Sequence, residues 1–192
     1  MHTMPSVAVE CWDARTYTSA QAQAIAELLH QVWPKPNGTV ADRQRDLLAI
    51  GEEQDSPRQS APRSWVVLDD VRVAAHAMVF GRQIRTTQGD ATIAALARVC
   101  VDANHRGRGL GELVVRAALA TVDAGEFPWA LFQTSRRVRP FYERLGAVET
   151  LNPIINSCGE PKANPFWDEV VMHYGAADNW PTGTIDLRGP GY

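Results

Sequence analysis

Apolar and polar residues alternate over residues 6–12, then the apolar positions recur at three-and-four spacing from residue 19 to 32, where Trp33-Pro34 closes the run. The first period is that of a strand and the second that of a helix with one buried face, which proline cannot continue. The same reading predicts a helix over residues 41–53, a loop rich in Ser, Pro and charge over 54–63, and a strand at 64–68. Asp69-Asp70 then turns the chain into a long strand from 71 to about 85, and a turn at 87–90 leads to a strand of small and β-branched residues at 93–101. Asp102, Ala103, Asn104 and His105 break that pattern. From Leu110 the apolar residues Leu113, Val114, Ala117, Ala118 and Val122 mark one buried helix face, with Glu112 and Arg116 as an i,i+4 ion pair on the other side. A strand at 130–133, a helix at 138–145 and short strands at 147–149 and 168–173 complete the order. The layout is mixed α/β, with about six to seven strands and about four helices. Its 192 residues are most simply one domain.

Composition narrows the function classes. The net charge of −3, from 22 acidic and 19 basic residues, argues against a nucleic-acid binder, which presents a basic face. Cys11, Cys100 and Cys158 are odd in number and lack metal-ligand spacing, so neither a disulfide framework nor a metal site is expected. With no apolar run near 18 residues and no signal segment, they point to a reduced cytoplasm and no membrane association. Cys100 could be taken for a nucleophile; its place in an apolar strand reads as a buried small hydrophobe.

The stretch Arg106-Gly107-Arg108-Gly109-Leu110-Gly111 lies between the strand at 93–101 and the helix that follows. A helix start leaves N–H groups without intrahelical partners and carries roughly half a positive charge. Glycines at 107, 109 and 111 let the backbone adopt unusual dihedrals and let ligand oxygens approach, and Arg106 and Arg108 add charge. The context is that of a pyrophosphate cradle. A Walker A loop would end in Gly-Lys-Ser/Thr and a dinucleotide fingerprint, Gly-x-Gly-x-x-Gly, needs its third glycine after two intervening residues; neither is present.

The segment 96–122 resembles the acetyl-CoA loop of the GCN5-related N-acetyltransferases (GNAT), with the signature Arg/Gln-x-x-Gly-x-Gly/Ala met here as Arg106-x-x-Gly109-x-Gly111. The run Arg139-Pro140-Phe141-Tyr142-Glu143-Arg144-Leu145-Gly146-Ala147 is similar to a short C-terminal helix of that family. The resemblance covers residues 71–173 well and the first sixty only loosely. It implies a GNAT fold whose central sheet splays at the cofactor, and acetyl-CoA as acetyl donor. Val99, Cys100 and Val101 would hold pantetheine through backbone groups, and Arg106, Gly107, Arg108, Gly109, Leu110 and Gly111 the pyrophosphate. Ser135 would be a further cofactor contact and Tyr142 the general acid at the departing sulfur. A phenol titrates at about 10, so it keeps its proton at pH 7.

The base is less determined. Many relatives carry a glutamate on the strand before the loop, whereas this chain has Ala94, Ala95, Leu96 and Ala97, and no carboxylate between Asp90 and Asp102. His76 is the nearest titratable group on the preceding strand, a possible base or a structural histidine. An amine of low pKa, a water chain or a carboxylate elsewhere would serve equally. His105 reads as a surface residue.

In layout the chain is also similar to aminoglycoside 2′-N-acetyltransferases, through Ala75-His76-Ala77, the hairpin after it and a tail over 174–192 that is expected to dock. Gln133, Asp186 and Tyr192 are the candidate acceptor contacts that this layout implies. The acids that would bind a polycationic sugar are missing, Ala97 standing at the glutamate position and Lys35-Pro36-Asn37-Gly38 in the loop after the first helix. The resulting expectation is a small-molecule amine acceptor and a monomer or homodimer. A protein or peptide amine, or a non-catalytic acyl-CoA-binding module, are the alternatives. The loop at 152–166 is longer than most connections, as functional loops often are.

Overall fold

The computed structural model describes residues 8–53, 61–160 and 162–192. The chain forms two compact units, residues 1–78 with 98–118, and residues 79–97 with 119–192.

In the first unit, β1 (Glu10–Asp13) pairs antiparallel with β2 (Arg63–Asp69), Glu10 opposite Val66 and Asp13 opposite Arg63. The alternation at residues 6–12 predicts an earlier strand; residues 6 and 7 lie outside the described residues, and pairing begins at Glu10. Helix α1 (Ser19–Val32) starts at a reciprocal cap, the Thr18 hydroxyl accepting from Gln21 N–H while the Gln21 side chain accepts from Thr18 N–H. It buries Ala22, Ile25, Ala26, Leu28 and Leu29, the stripe that the spacing predicts. Helix α2 (Val40–Glu53) packs on α1 and is capped similarly by Thr39 and Asp42. These hydrogen bonds from Thr39, then the Arg45 side chain, hold the Asp42 carboxyl down to about 2. The loop expected over 54–63 lies outside the described residues from 54 to 60. Strand order in this unit is β1-β2-β3-β4, where β3 (Arg72–Thr86) and β4 (Gly89–Val101) continue along the chain into the second unit. From Val73 to Val79 every residue of β3 is buried, which is why the stretch is apolar at every position but His76 rather than alternating.

In the second unit the order is β3-β4-β5-β8-β6. Strand β5 (Trp129–Thr134) pairs parallel with β4 at Ala94–Ala130 and Ala95–Leu131 and antiparallel with β8 (Val170–Gly175) along its whole length. Helix α4 (Arg139–Arg144) follows β5, and β6 (Val148–Glu149) pairs with β8. Two short strands are not legible in the sequence: β7 (Ile154–Ile155) within the loop at 152–166, and β9 (Ile185–Asp186) within the tail. They pair parallel with each other, and β9 also pairs with β3 at Arg85–Asp186. Two-residue strands carry no periodicity of their own, which is why the expected six to seven strands become nine among the described residues.

Helix α3 (Leu110–Asp123) runs along the chain from the first unit into the second. Its buried positions are Leu110, Val114, Val115, Ala118, Leu119, Thr121 and Val122, whereas Leu113 is exposed and Ala117 half-buried. The expected stripe is therefore turned by one position, Val115 taking the place assigned to Leu113. The Glu112–Arg116 pair forms at 2.8 Å on the exposed side.

Candidate active site

The loop after β4 begins at Asp102, whose carboxylate accepts from Asn104 N–H at 2.7 Å and opens a 3-10 turn over Ala103–His105. His105 stands between two carboxylates, Nε2 at 3.0 Å from Asp69 and Nδ1 at 3.4 Å from Asp102. Arg106 Nε donates to the Val101 carbonyl at 3.3 Å, and Arg108 is exposed. Gly107 and Gly109 adopt φ of +75° and +79°, and an added Cβ would meet nothing within 4 Å at either. The backbone there is left-handed and its outer side open, as an approaching ligand requires. Gly111 lies in the first turn of α3 and does not share that conformation. Leu113 N–H donates to the Gly109 carbonyl at 3.1 Å, so the N–H groups of residues 110–112 precede the first bond of the α3 ladder. These residues fit a bound pyrophosphate.

Upstream, Arg98 interrupts β4 with φ of +55°, a left-handed residue inside a strand. Such a residue kinks the strand locally, as a bulge does. The main chain at Arg98 is gripped by His76, whose Nδ1 lies 2.8 Å from the Arg98 carbonyl. A carbonyl only accepts, so Nδ1 carries the proton and Nε2 is an acceptor. Nε2 is 2.7 Å from the Ser64 hydroxyl, which therefore donates to it and accepts in turn from Tyr17 Oη at 2.6 Å. The chain Tyr17–Ser64–His76–Arg98 is fully oriented, with every hydrogen assigned. Beyond it, Val99 and Val101 are partly buried and Cys100 is buried. Burial pushes the Cys100 thiol up to about 12, so it holds its proton and is no nucleophile.

In the second unit, pairing between β4 and β5 ends after Ala95 and Leu131 although both strands continue, so the two separate there. The Ser135 carbonyl accepts from Val138 and Arg139 N–H and starts α4. Tyr142 on that helix is buried, its ring 4.6 Å from Phe132 and 5.0 Å from Phe141. Gly146 ends the helix with φ of +93°, the cap that its sequence position predicts.

Residues 13–149 match the family described as "Acetyltransferase (GNAT) domain". The chain belongs to the GNAT acetyltransferase family. As a member it is an N-acetyltransferase that uses acetyl-CoA. Among solved structures the fold is similar to the GNAT acetyltransferase YhbS from Escherichia coli in complex with CoA, at 16% identity and a TM-score of 0.61 over 97% of this chain and 93% of that one. Glucosamine-6-phosphate N-acetyltransferase from Arabidopsis thaliana is similar at 19% identity and a TM-score of 0.55, over 72% of this chain and 90% of that one. A GCN5-related N-acetyltransferase from Kribbella flavida matches at 21% identity and a TM-score of 0.55, over 75% of this chain, which spans only 34% of that protein's length. No curated protein matches the chain.

Within this GNAT enzyme the strand histidine does not suit a base. His76 is fully buried, both ring nitrogens are occupied, and burial depresses its pKa to about 4, so it is neutral and its one acceptor nitrogen is taken by Ser64. The candidate acceptor contacts form a tightly tied group in the second unit. Gln133 Nε2 donates to the main-chain oxygen of Tyr192 at 2.6 Å, and its Oε1 accepts from the N–H groups of Trp167 and Asp168, both at 2.9 Å. Tyr192 Oη donates to the Leu131 carbonyl at 2.9 Å, and its ring packs edge-on against Phe80 and Phe166. Asp186 is buried and accepts from Ser157 and Arg188 N–H. Burial raises its pKa, but those hydrogen bonds and the Arg188 charge outweigh it, and the carboxyl lies below its ordinary value. Gln133 thus spends both its polar atoms, and Asp186 its Oδ1, holding the chain at 157–168 and the tail.

The sequence reading missed Tyr17, Ser64 and Arg98. A tyrosine, a serine and an arginine far apart along the chain carry no shared motif; only β-pairing brings them to one place. Among the described residues no helix is long and apolar enough to cross a membrane, and no three His, Cys, Asp or Glu side chains are grouped to hold a metal ion.

Proposed function

We propose that this enzyme moves the acetyl group of acetyl-CoA to a primary amine of a small molecule. The observation that carries this reading is the closure of the second unit at β5. Beyond Leu131, where β4 leaves, the strand is overlain by Tyr192 and by the Trp167–Asp168 backbone, both tied to Gln133. Gly191 lies so close to Pro165 that a Cβ there would be 2.5 Å from its carbonyl oxygen. A wall built this tightly suits a small acceptor rather than an extended peptide.

Acetyl-CoA supplies the activated acetyl thioester. Residues 106–111 would hold the pyrophosphate through backbone N–H groups, with Arg106 and Arg108 adding charge. The backbone of Val99, Cys100 and Val101, and Ser135, orient the remainder. Tyr142 Oη holds the proton required by the departing sulfur.

Steady-state acetylation by the full chain, with acetyl-CoA and panels of small primary amines and of peptides, tests this. Small amines are expected to exceed peptides in kcat/KM, and Tyr142→Phe to lower kcat by about 10²-fold with little change in the KM for acetyl-CoA. Preference for peptides would overturn the acceptor class, and full turnover by Tyr142→Phe the acid.

A further inference from the structure

Between residues 103 and 109 every residue is exposed except His105. Only 18% of its side chain is exposed, although the sequence reads it as a surface residue. The ring lies between Asp69 Oδ2, 3.0 Å from Nε2, and Asp102 Oδ1, 3.4 Å from Nδ1. A carboxylate only accepts, so Nε2 carries a proton and donates it to the bond with Asp69.

Asp69 is a firm anchor. It is the last residue of β2, and a two-residue turn in which Asp70 takes φ of +57° leads at once into β3. The loop itself has few holds. Upstream, Asp102 N–H donates to the Ala74 carbonyl and His105 N–H to the Asp102 carbonyl, both at 2.9 Å. Downstream, Leu113 N–H donates to the Gly109 carbonyl at 3.1 Å, and the Arg106 side chain reaches back only to the Val101 carbonyl. Among the described residues, His105 is the one side chain of 103–109 tied to an element other than the strand and helix that the loop joins.

Gly107 and Gly109 give the backbone wide conformational freedom, so a loop held only at its ends is ordered when its ligand binds, at a cost in affinity. A tie made beforehand removes that cost. Asp69 is mostly exposed, and exposed pairs of this kind add little to the stability of a fold. The effect of the bond therefore falls on the loop.

We propose that His105 is a positioning residue for the cofactor: its bond to Asp69 fixes the turn before Arg106, so that the N–H groups of the cradle converge on one diphosphate before it arrives. This rests on the reading of residues 106–111 as a pyrophosphate cradle, and it extends that site to a pair 36 residues apart.

Calorimetry on the full chain, with CoA as the probe, tests it. His105→Ala and Asp69→Ala should each raise the dissociation constant at least about threefold, and the double variant should bind no more weakly than the worse single one, since both remove the same tie. His105→Gln, whose amide N–H reaches toward the Nε2 position, should recover most of the affinity. Arg106 and Arg108 are exposed and supply a second readout, cleavage by trypsin. Without CoA, cleavage after these two residues should be several-fold faster in both alanine variants, with the urea midpoint and cleavage elsewhere unchanged, and saturating CoA should slow it. An unchanged dissociation constant, tighter binding by Asp69→Ala, additive losses in the double variant, or faster cleavage along the whole chain would overturn the assignment. A wild type that binds no CoA, but whose cleavage at the loop still depends on His105 and Asp69, would retain the tie and overturn the cradle.

Discussion

His76 Nδ1–H donates to the carbonyl of Arg98 at 2.8 Å, tying the centre of β3 to the one non-glycine residue of β4 with a left-handed backbone. The bond fixes the tautomer of the ring, and through Ser64 and Tyr17 it anchors the bulge to α1's threshold. The residues that follow it, Val99 to Val101, are those proposed to hold pantetheine. A histidine that offers itself as a base in the sequence is thus a positioning residue in the fold.

Removing that ring should loosen both. His76→Ala leaves the Arg98 carbonyl and the Ser64 hydroxyl buried without partners, which costs on the order of 2–4 kcal/mol in urea unfolding. His76→Asn keeps a donor near the Nδ1 position, whereas His76→Gln places its amide nearer Nε2. Asn should therefore restore the KM for acetyl-CoA better than Gln does. Equal behaviour of the two would show that the Arg98 bond does not position the cofactor strand.

Stability should fall on mild acidification. Burial lowers the pKa of His76 and of His173 to about 4, from an unfolded value of about 6.5. The unfolded chain binds more protons between those values, so unfolding free energy is complete above pH 6.5 and is lost as the pH drops toward 4. For the fully buried His76 the loss is on the order of 3 kcal/mol. Urea midpoints measured from pH 7.5 to 4 should decline over that window and decline less in His76→Asn. A midpoint independent of pH would contradict the buried neutral ring.

The cofactor loop should tolerate substitution structurally and fail functionally. The Cβ of Gly109→Val meets nothing within 4 Å, so the expected folding cost is that of a left-handed β-branched residue, about 1–2 kcal/mol. The dissociation constant for CoA, read by calorimetry, should rise at least about tenfold, because the side chain stands where the phosphate approaches. An unchanged constant would remove residue 109 from the cradle.

The tail should be released by a single change. Gln133→Ala removes three hydrogen bonds, one to Tyr192 and two to the 167–168 backbone. Limited proteolysis should then cut within residues 176–192 at an enzyme concentration at least several-fold below that needed for the wild type. Gly191→Ala should act similarly, since its Cβ would collide with Pro165. Wild-type resistance in both variants would mean that the hydrophobic contacts of Tyr192 hold the tail unaided.

Thiol chemistry should distinguish the three cysteines. Cys11 and Cys158 are exposed and should react with a chromogenic disulfide under native conditions, while Cys100 should react only on unfolding. Rapid labelling of all three would argue against the burial of β4.

The sequence by itself determined the donor side of this enzyme. Periodicity marks α1 and α3, glycine spacing marks the loop at 106–111, and Pro140 and Gly146 bracket the Tyr142 helix, because each of these is a local property of a few consecutive residues. The face of α3 was legible only to within one position, since Leu113 and Val115 are equally apolar and their neighbours decide which is buried. Tertiary structure decided what depends on residues distant in sequence. Pairing of β2, β3 and β4 assembles the Tyr17–Ser64–His76–Arg98 chain and turns a candidate base into an anchor. The tail reaches β5 through Gln133, a contact between residues almost sixty positions apart. A hydrogen bond or an unpaired charge exists only between groups that folding brings together, and a linear pattern does not record which groups those are.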